Sequence, residues 1–217
     1  MEIKTELRKI FDKHECDKGE KHSYERCYEP DFEPIKNEKL NILEIGIDNG
    51  SSLKVWHEYF PNANIYGMDI FKRNKIEEVE ILKEDRVHGI KLDSTKKFSK
   101  FEAMEAWPKI EFDIIIDDGL HTPEANKLTF ENFFPLLKKE GYYYIEDVWA
   151  LDKMDEKQLN HHWIKQHPNL YNYLLFDSFL KVISPYKIER YDYRDPESFN
   201  IYGIPRKADS YIIRVSK

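Results

Sequence analysis

Short apolar runs alternate with amphipathic stretches along most of the chain. Runs rich in β-branched and aromatic residues predict buried strands at 40–46, 63–68, 87–92, 112–116 and 142–145. Helical spacing predicts helices at 3–14, 51–60 and 94–107, and a fourth from Thr122 through 137, where an N-cap precedes Pro123 and Gly141 closes the segment. This alternation indicates a parallel sheet that helices cover on both faces.

Both ends of the chain depart from this alternation. A polar segment ended by Pro30 and Pro34 follows the first helix. A polar stretch at 152–167, a helix at 169–184 and strands at 187–193 and 211–215 complete the chain. Because 217 residues suffice for one α/β domain and not comfortably for two, we expect a single domain over residues 1–217.

The composition of the chain argues against nucleic acids and membranes as binding partners. The net charge is -7, and no basic stretch interleaved with aromatics stands out, which argues against nucleic acid. No long apolar segment indicates a membrane partner. Cys16 and Cys27 are the only cysteines and offer no second pair for a zinc site, so we expect free thiols in a cytoplasmic protein.

Two of the predicted strands end abruptly in carboxylates. Asp117 and Asp118 follow one strand, and Glu146 and Asp147 follow the next. A helical crossover makes these strands parallel, so all four carboxylates emerge at one edge of the sheet. Crowded carboxylates repel one another unless a cation or protons neutralise them, and a divalent metal is the simplest explanation. Capping by the aspartates and surface charge at 146–147 are the alternatives.

A glycine loop, Gly46 to Ser52, connects the first strand to its helix. It departs from the dinucleotide pattern, because Asp48 takes the middle glycine position and Ser51 the third, which argues against a pyrophosphate. Asp69 ends the second strand about 20 residues later, where a carboxylate can accept hydrogen bonds from a ribose diol. The loop alone could be a structural turn, but with Asp69 a nucleoside-containing cofactor is favoured.

With these motifs the chain resembles the class I S-adenosylmethionine-dependent methyltransferases, specifically the metal-dependent sugar O-methyltransferases that modify macrolide deoxysugars, rhamnosyl groups and related glycans. The similarity covers roughly the first two thirds of the chain. It runs from Asp17-Lys18-Gly19, with His22, Tyr24 and Tyr28, through the glycine loop and Asp69 to Asp118-Gly119-Leu120-His121 and Glu146-Asp147. It implies a Rossmann-like α/β fold with a mostly parallel seven-stranded sheet flanked by helices and an antiparallel C-terminal strand.

The resemblance also implies a set of site residues. Glu44, Gly46 and the loop to Ser52 would hold the methionine end of S-adenosylmethionine, Asp69 the ribose, and Asp93 would lie near the adenine. The full implied cofactor set is Asp17, Lys18, Gly19, Tyr24, Glu44, Gly46, Asp48, Gly50, Ser51, Ser52, Asp69, Asp93 and Asp117. His22 and the neighbouring tyrosines would either form a lid or pack the N-terminal helix.

The implied metal ligands are Asp118, Glu146 and Asp147, with His121 as general base. Oxygen ligands favour Mg2+ or Mn2+ over zinc. Because His121 precedes the N-terminus of the predicted helix at 122, we expect its protonated form to be disfavoured.

The resulting hypothesis is an S-adenosylmethionine- and metal-dependent O-methyltransferase acting on a free, nucleotide-linked or glycan sugar. The Lys, Ile and Asn bias points to surface-polysaccharide sugars in an AT-rich bacterium. Residues 1–38 would form an N-terminal helix and lid-like segment, 39–150 the cofactor-binding core, and 151–217 the acceptor-side helices and final strands, with 152–206 lining the acceptor pocket. A homo-oligomer through the N-terminal helix is compatible with the resemblance.

Other activities fit parts of the same pattern. A catechol-like diol could serve as the methyl acceptor, because a metal ion bound to its two adjacent oxygens would polarise the hydroxyl in the same way. A non-catalytic cofactor-binding module, or an enzyme of the related cephalosporin hydroxylase group, would carry similar motifs.

Overall fold

The structure is a computed structural model and describes residues 4–195 and 209–217. Within these residues, seven strands form one sheet. The strands are β1 Asn41–Ile45, β2 Asn64–Asp69, β3 Val87–Lys91, β4 Phe112–Asp117, β5 Leu137–Ile145, β6 Lys187–Asp192 and β7 Tyr211–Ser216. Their order is β3-β2-β1-β4-β5-β7-β6, with β1 to β5 parallel and β7 antiparallel to both β5 and β6. The predicted Rossmann-like fold with an antiparallel C-terminal strand is confirmed.

Helices cover both faces of this sheet. Within the described residues they are α1 Glu6–Lys13, α2 Asp17–Glu20, α3 Glu25–Phe32, α4 Ser51–Tyr59, α5 Ser99–Ala106, α6 Pro123–Phe133, α7 Glu156–Leu159, α8 His162–Gln166 and α9 Tyr173–Ile183. Short 3-10 helices lie at Glu33–Ile35, Ile76–Glu78, Glu80–Lys83, Phe134–Leu136 and Leu151–Lys153. The buried apolar side chains form two cores, one on each face of the sheet. The first lies between the sheet and helices α1, α3 and α4, and the second lies between the opposite face and helices α5, α6 and α9. Among the helices described, none has the length and apolar character needed to span a bilayer.

The N-terminal helices are part of the first core. Phe11 of α1, together with Tyr28 and Phe32 of α3, packs edge-on against Trp56 at ring-centroid distances of 5.5–5.9 Å. The Tyr28 ring also lies 4.8 Å from that of Tyr144 in β5. Burial of these rings against one another fixes α1 to α3 on the sheet. The segment between α1 and α3 is thereby held beside the carboxyl edge.

The helix after β4 is shorter than predicted. Thr122 caps it by accepting a hydrogen bond from the Ala125 amide, and Pro123 occupies its first turn, as expected. The helix ends at Phe133, because Pro135 has no amide proton with which to continue it. Gly141 lies inside β5, where an added Cβ would come within 2.8 Å of a main-chain oxygen of β4. The expectation that Gly141 closes the helix is therefore wrong.

Two further boundaries differ from the sequence prediction. Pro30 lies inside α3 and does not end the segment. The helix predicted from residue 94 begins at Ser99, because the Asp93 carboxylate accepts hydrogen bonds from both the amide and the hydroxyl of Thr95 and forms a turn first. The polar stretch at 152–167 contains the short helices α7 and α8.

Candidate active site

The carboxyl ends of β1, β4 and β5 lie side by side. Ile45 at the end of β1 pairs with Asp117 of β4, which pairs in turn with Ile145 of β5. Beyond the strands, the Asp118 amide donates to the Ile45 carbonyl at 2.8 Å and the Glu146 amide donates to the Asp117 carbonyl at 3.0 Å. The acidic residues that end β4 and β5 therefore meet at one edge, as the sequence predicts.

A lysine ammonium lies among three of the carboxylates. Lys18 Nζ is 2.5 Å from Asp118 Oδ2, 2.6 Å from Glu146 Oε2 and 3.3 Å from Glu44 Oε1. Burial lowers the pKa of Lys18, but the carboxylates of Asp118, Glu146 and Glu44 outweigh it and hold that pKa well above its ordinary value. Lys18 is only 1% exposed, so this is an internal cation.

The two glutamates at this lysine are enclosed by further donors. Glu44 Oε2 accepts hydrogen bonds from Ser52 Oγ at 2.7 Å and from Trp56 Nε1 at 3.0 Å. Glu146 Oε1 accepts a hydrogen bond from the Tyr28 hydroxyl. Burial raises the pKa of both glutamates, although Lys18 acts in the opposite direction. Both oxygens of Glu146 thus have partners inside the protein.

A second group of side chains lies on the outer side of Lys18 and consists of Asp118, His121 and Asp147. We call these three residues the outer group. His121 Nε2 is 3.6 Å from Asp118 Oδ1 and 4.0 Å from Asp147 Oδ2. One ligand atom from each residue lies within 4.8 Å of the others. Asp147 has a φ of 50°, a left-handed conformation that costs free energy in a non-glycine residue and is typical of functional sites.

Two side chains of the N-terminal segment, Tyr24 and His22, contact Asp147 of the outer group. The Tyr24 hydroxyl donates to Asp147 Oδ1 and accepts a hydrogen bond from the Asp147 amide at 3.3 Å. His22 Nδ1 lies 3.4 Å from the same carboxylate oxygen and 2.8 Å from Ser210 Oγ. Tyr24 and His22 therefore fix the orientation of Asp147.

The carboxylates of Asp147 and Asp118 raise the pKa of His121. Burial lowers the pKa of His121, but the negative charges of Asp147 and Asp118 outweigh it, so that the pKa lies above its ordinary value. The expectation that the helix N-terminus keeps His121 unprotonated is wrong, since two carboxylates within 4.0 Å act more strongly than the helix dipole. His121 is thus suited to receive and hold a proton.

The outer group fits a divalent cation. Two carboxylates and an imidazole converge there, and His121 Nδ1 has no hydrogen-bond partner among the described residues. Carboxylate oxygens suit Mg2+ or Mn2+. Of the three predicted ligands, Asp118 and Asp147 belong to this group, while the Glu146 side chain is turned to Lys18 and Tyr28.

Asp69 organises the glycine loop. Its Oδ2 atom accepts hydrogen bonds from the amides of Ile47 and Asp48, both at 3.0 Å. Gly46 and Gly50 adopt φ angles of 87° and 80°, which side chains rarely allow. The loop is therefore held in a fixed conformation beside the acidic edge.

The remaining loop residues form the start of α4. Gly50 is the N-cap, and the Ser51 amide donates to Asn49 Oδ1 at 3.0 Å. Ser52 is turned inward to Glu44, whereas Asp48 accepts a hydrogen bond from Asn74 at the surface. These contacts leave the first-turn amides of α4 next to the loop, where an anionic group is favoured.

Three other predicted cofactor residues lie in different surroundings. The Asp17 side chain is 63% exposed, at the mouth of the site. Gly19 is buried, and a Cβ there would lie 2.8 Å from Phe11 Cβ, so this glycine permits close packing of α2 on α1. Asp117 is buried behind the edge, where it accepts a hydrogen bond from the Gly119 amide at 3.3 Å and burial raises its pKa to about 7. Their predicted cofactor contacts stay predictions.

Sequence reasoning did not identify Asp209. The structure places it with His22 and Asp147, each offering one ligand atom within 4.8 Å of the others. Its only sequence signal is its place two residues before β7. Of the predicted acceptor segment at 152–206, residues 196–206 lie outside the described residues.

Residues 36–196 match the protein family described as a methyltransferase domain. The chain belongs to this family. Among curated proteins, it is similar to the 8-demethyl-8-(2-methoxy-alpha-L-rhamnosyl)-tetracenomycin-C 3'-O-methyltransferase of Streptomyces olivaceus, with 33% identity over 154 residues that cover 67% of this chain and 37% of that protein. It is also 32% identical over 136 residues to the mycinamicin VI 2''-O-methyltransferase of Micromonospora griseorubida, covering 59% and 32% of the two chains. The methyltransferase domain described here thus spans about a third of these relatives' length.

Among solved structures, the chain is similar to the MycE methyltransferase from the mycinamycin biosynthetic pathway in complex with Mg and SAH. The TM-score is 0.64 at 25% identity, covering 99% of this chain and 55% of that chain. A further MycE structure, which also contains mycinamycin VI, matches with the same TM-score. The family resemblance drawn from the sequence motifs is confirmed.

Proposed function

We propose that this methyltransferase-family chain is an S-adenosylmethionine- and divalent-metal-dependent O-methyltransferase that acts on a sugar hydroxyl. The observation that carries the proposal is the convergence of Asp118, His121 and Asp147 beside the glycine loop. The names of the similar proteins give independent support, because they are O-methyltransferases of sugar-bearing antibiotics and MycE binds Mg and SAH.

The glycine loop and Asp69 would hold the methyl donor. S-adenosylmethionine, when bound, supplies an electrophilic methyl group on a sulfonium. Gly46 and Gly50 let the backbone approach a ligand closely, and Asp69 fixes the loop through the Ile47 and Asp48 amides. We assign the ribose to the side of Asp69 and the adenine to the side of Asp93, with the methionine end along the loop towards Ser52.

Asp118 and Asp147 would hold the divalent cation, Mg2+ or Mn2+. An alcohol is a poor nucleophile at neutral pH, and a bound cation supplies Lewis-acid polarisation of the acceptor hydroxyl. His121 then removes the proton at Nε2. Asp118 and Asp147 lie 3.6 Å and 4.0 Å from His121 Nε2 and orient the imidazole for this transfer.

The acceptor is proposed to be a small sugar, free, nucleotide-linked or part of a glycoside. The relatives' names support a sugar hydroxyl, whereas surface-polysaccharide biosynthesis rests on the Lys, Ile and Asn bias of the composition. We further propose a single domain with a lid-like segment at 1–38, a cofactor-binding core at 39–150 and an acceptor side at 151–217. We also propose a cytoplasmic location and a homo-oligomer, for which α1 is a candidate contact.

A methyl-uptake assay tests the function. The chain is incubated with S-adenosylmethionine labelled in the methyl group, with Mg2+ or with EDTA, and with nucleotide sugars, rhamnosides and a catechol as separate acceptors. Mg2+-dependent uptake by a sugar supports the proposal. Uptake by the catechol alone would replace the sugar with a different diol. Binding of S-adenosylhomocysteine by calorimetry without uptake by any acceptor would indicate a binding module.

A further inference from the structure

Helix α5 buries small side chains and exposes large apolar ones. Its buried residues are Ser99 and Ala103. The side chains of Phe98, Phe101 and Met104 are 61%, 58% and 43% exposed. A surface helix normally turns its large apolar side chains towards the core. We call the three exposed residues the α5 face. A cluster of apolar side chains open to water is typical of a surface that another molecule covers.

The folding of the chain itself does not account for the α5 face. Phe98 occupies the N-cap position of α5 and forms no capping hydrogen bond there. A Ser, Thr, Asp or Asn side chain at this position would stabilise the helix by about 1 kcal/mol. The exposed ring of Phe98 therefore contributes neither a cap nor burial in a core, and its place is better explained by a contact outside the chain.

The charged side chains around the α5 face change sign along the helix. Residues 96–100 contain three lysines and no acidic residue, whereas residues 101–106 contain two glutamates and no basic residue. Lys100 in the first turn and Glu105 in the last turn both oppose the helix macrodipole. This order of charges fits a second helix of the same sequence that runs in the opposite direction, because the lysines of each helix then meet the glutamates of the other.

The two remaining surfaces that could hold a second copy fit less well. The apolar side chains of α1, which are Leu7, Ile10 and Phe11, are buried in the first core, and the exposed residues of that helix are charged. Exposed apolar side chains also occur between Trp163 and Leu174, but these residues lie in the segment predicted to line the acceptor pocket. The α5 face is therefore the surface best suited to a second copy.

We propose that two copies of this chain associate through their α5 faces, with the two helices antiparallel about a two-fold axis. The apolar side chains of the two faces then exclude water from one another, and the lysine end of each helix lies against the glutamate end of the other. The inference rests on the homo-oligomer of the proposed function and gives that oligomer a contact on α5 in place of α1. It does not depend on methyl transfer.

The apolar part of the contact is tested by sedimentation equilibrium. One short helix from each copy makes a small interface, so we expect a dissociation constant of about 10 to 100 µM for the dimer. Phe98→Ser/Phe101→Ser should raise this constant by about tenfold or more. The Tm of the monomeric variant should change by less than about 2 °C, because neither ring is buried in a core. Lys9→Glu/Lys13→Glu, at exposed positions of α1, is the control and should change the dissociation constant by less than about twofold.

The charges are tested with a complementary pair of variants. The acidic variant is Lys97→Glu/Lys100→Glu, and the basic variant is Glu102→Lys/Glu105→Lys. Each variant alone brings like charges together, and we expect its dissociation constant to rise by about tenfold or more. In an equimolar mixture the two variants should form a mixed dimer at least as tight as the dimer of the unaltered chain. Added NaCl should weaken this mixed dimer, since salt screens exposed charges.

The possible results separate the contact from the oligomer. A chain that stays monomeric up to about 500 µM, well above the expected dissociation constant, would overturn the inference together with the proposed homo-oligomer. A dimer that persists in the α5 variants, or that the α1 control abolishes, would overturn the α5 contact and leave the oligomer in place. Failure of the acidic and basic variants to associate with each other would overturn the antiparallel arrangement. None of these measurements involves methyl uptake, so they stand even if the proposed enzymatic activity fails.

Discussion

Gly46 lies directly beneath the main chain of Asp118, so that an added Cβ at Gly46 would stand 2.1 Å from the Asp118 carbonyl oxygen. The φ of Gly46 is 87°, a conformation that glycine adopts without strain. The glycine loop and the acidic edge therefore meet through a contact between two backbones. A methyl donor on the loop and a cation at the edge would be set at a fixed distance by this contact.

Gly46→Ala is expected to lower the free energy of unfolding by about 3 kcal/mol or more, because the added methyl group meets backbone and the positive φ is strained. Urea unfolding followed by tryptophan fluorescence measures this loss. The control is Gly119→Ala, where the Cβ would lie 3.3 Å from Asp117 Oδ1, and we expect a cost of about 1 kcal/mol there. Similar stabilities for the two variants would contradict the close approach at Gly46.

The edge where the carboxylates gather could be predicted from the sequence. Apolar runs that end in Asp117-Asp118 and Glu146-Asp147, with one helix between them, leave little choice other than parallel neighbours. The local periodicity of 3.6 or 2 residues carries this information. It is also why the boundaries of β1 to β4 agree closely with the predictions. The start of β5, at Leu137 and not at 142, and the helix ends near Pro135 and Asp93 differ from the predictions.

The partner of each carboxylate could not be predicted. Lys18 lies 100 residues from Asp118 and 128 from Glu146 in sequence, and its place depends on how α2 packs beside the sheet. No local pattern encodes such a contact. The same limit applies to His121, since its helix is visible in the sequence but the carboxylates that raise its pKa act through space.

His121→Ala should abolish the proton acceptor and leave the cofactor loop intact. We expect methyl transfer to fall by about a hundredfold or more, which is the range for loss of a general base. The affinity for S-adenosylhomocysteine should be nearly unchanged, because His121 contacts Asp118 and Asp147 and not the glycine loop. A turnover assay and calorimetry measure the two effects. His14→Ala, whose ring pairs with Glu58 on the surface, is the control; equal activity of both variants would remove His121 from the mechanism.

Asp118→Asn should weaken the response to Mg2+. The amide can still present an oxygen to Lys18, so the inner side keeps an acceptor while the outer group loses an anionic ligand. We expect the Mg2+ concentration for half-maximal activity to rise by about tenfold or more. Asp113→Asn, near the other end of the same strand, is the matched control. A Mg2+ response of Asp118→Asn that equals the control would exclude Asp118 as a ligand.

Tyr24→Phe isolates the support that one hydroxyl gives to Asp147. The ring can keep its stacking on His22, but Asp147 loses a donor to its carboxylate and an acceptor for its amide. Removing such a supporting partner of a metal ligand costs about tenfold or more in metal affinity, so the Mg2+ requirement should rise by about that factor. Saturating Mg2+ should restore most of the rate, because the carboxylate itself remains. Tyr59→Phe, which loses a hydroxyl contact to Glu33 remote from the site, should leave the Mg2+ titration unchanged, and a loss of activity in Tyr24→Phe that Mg2+ cannot restore would argue against this role.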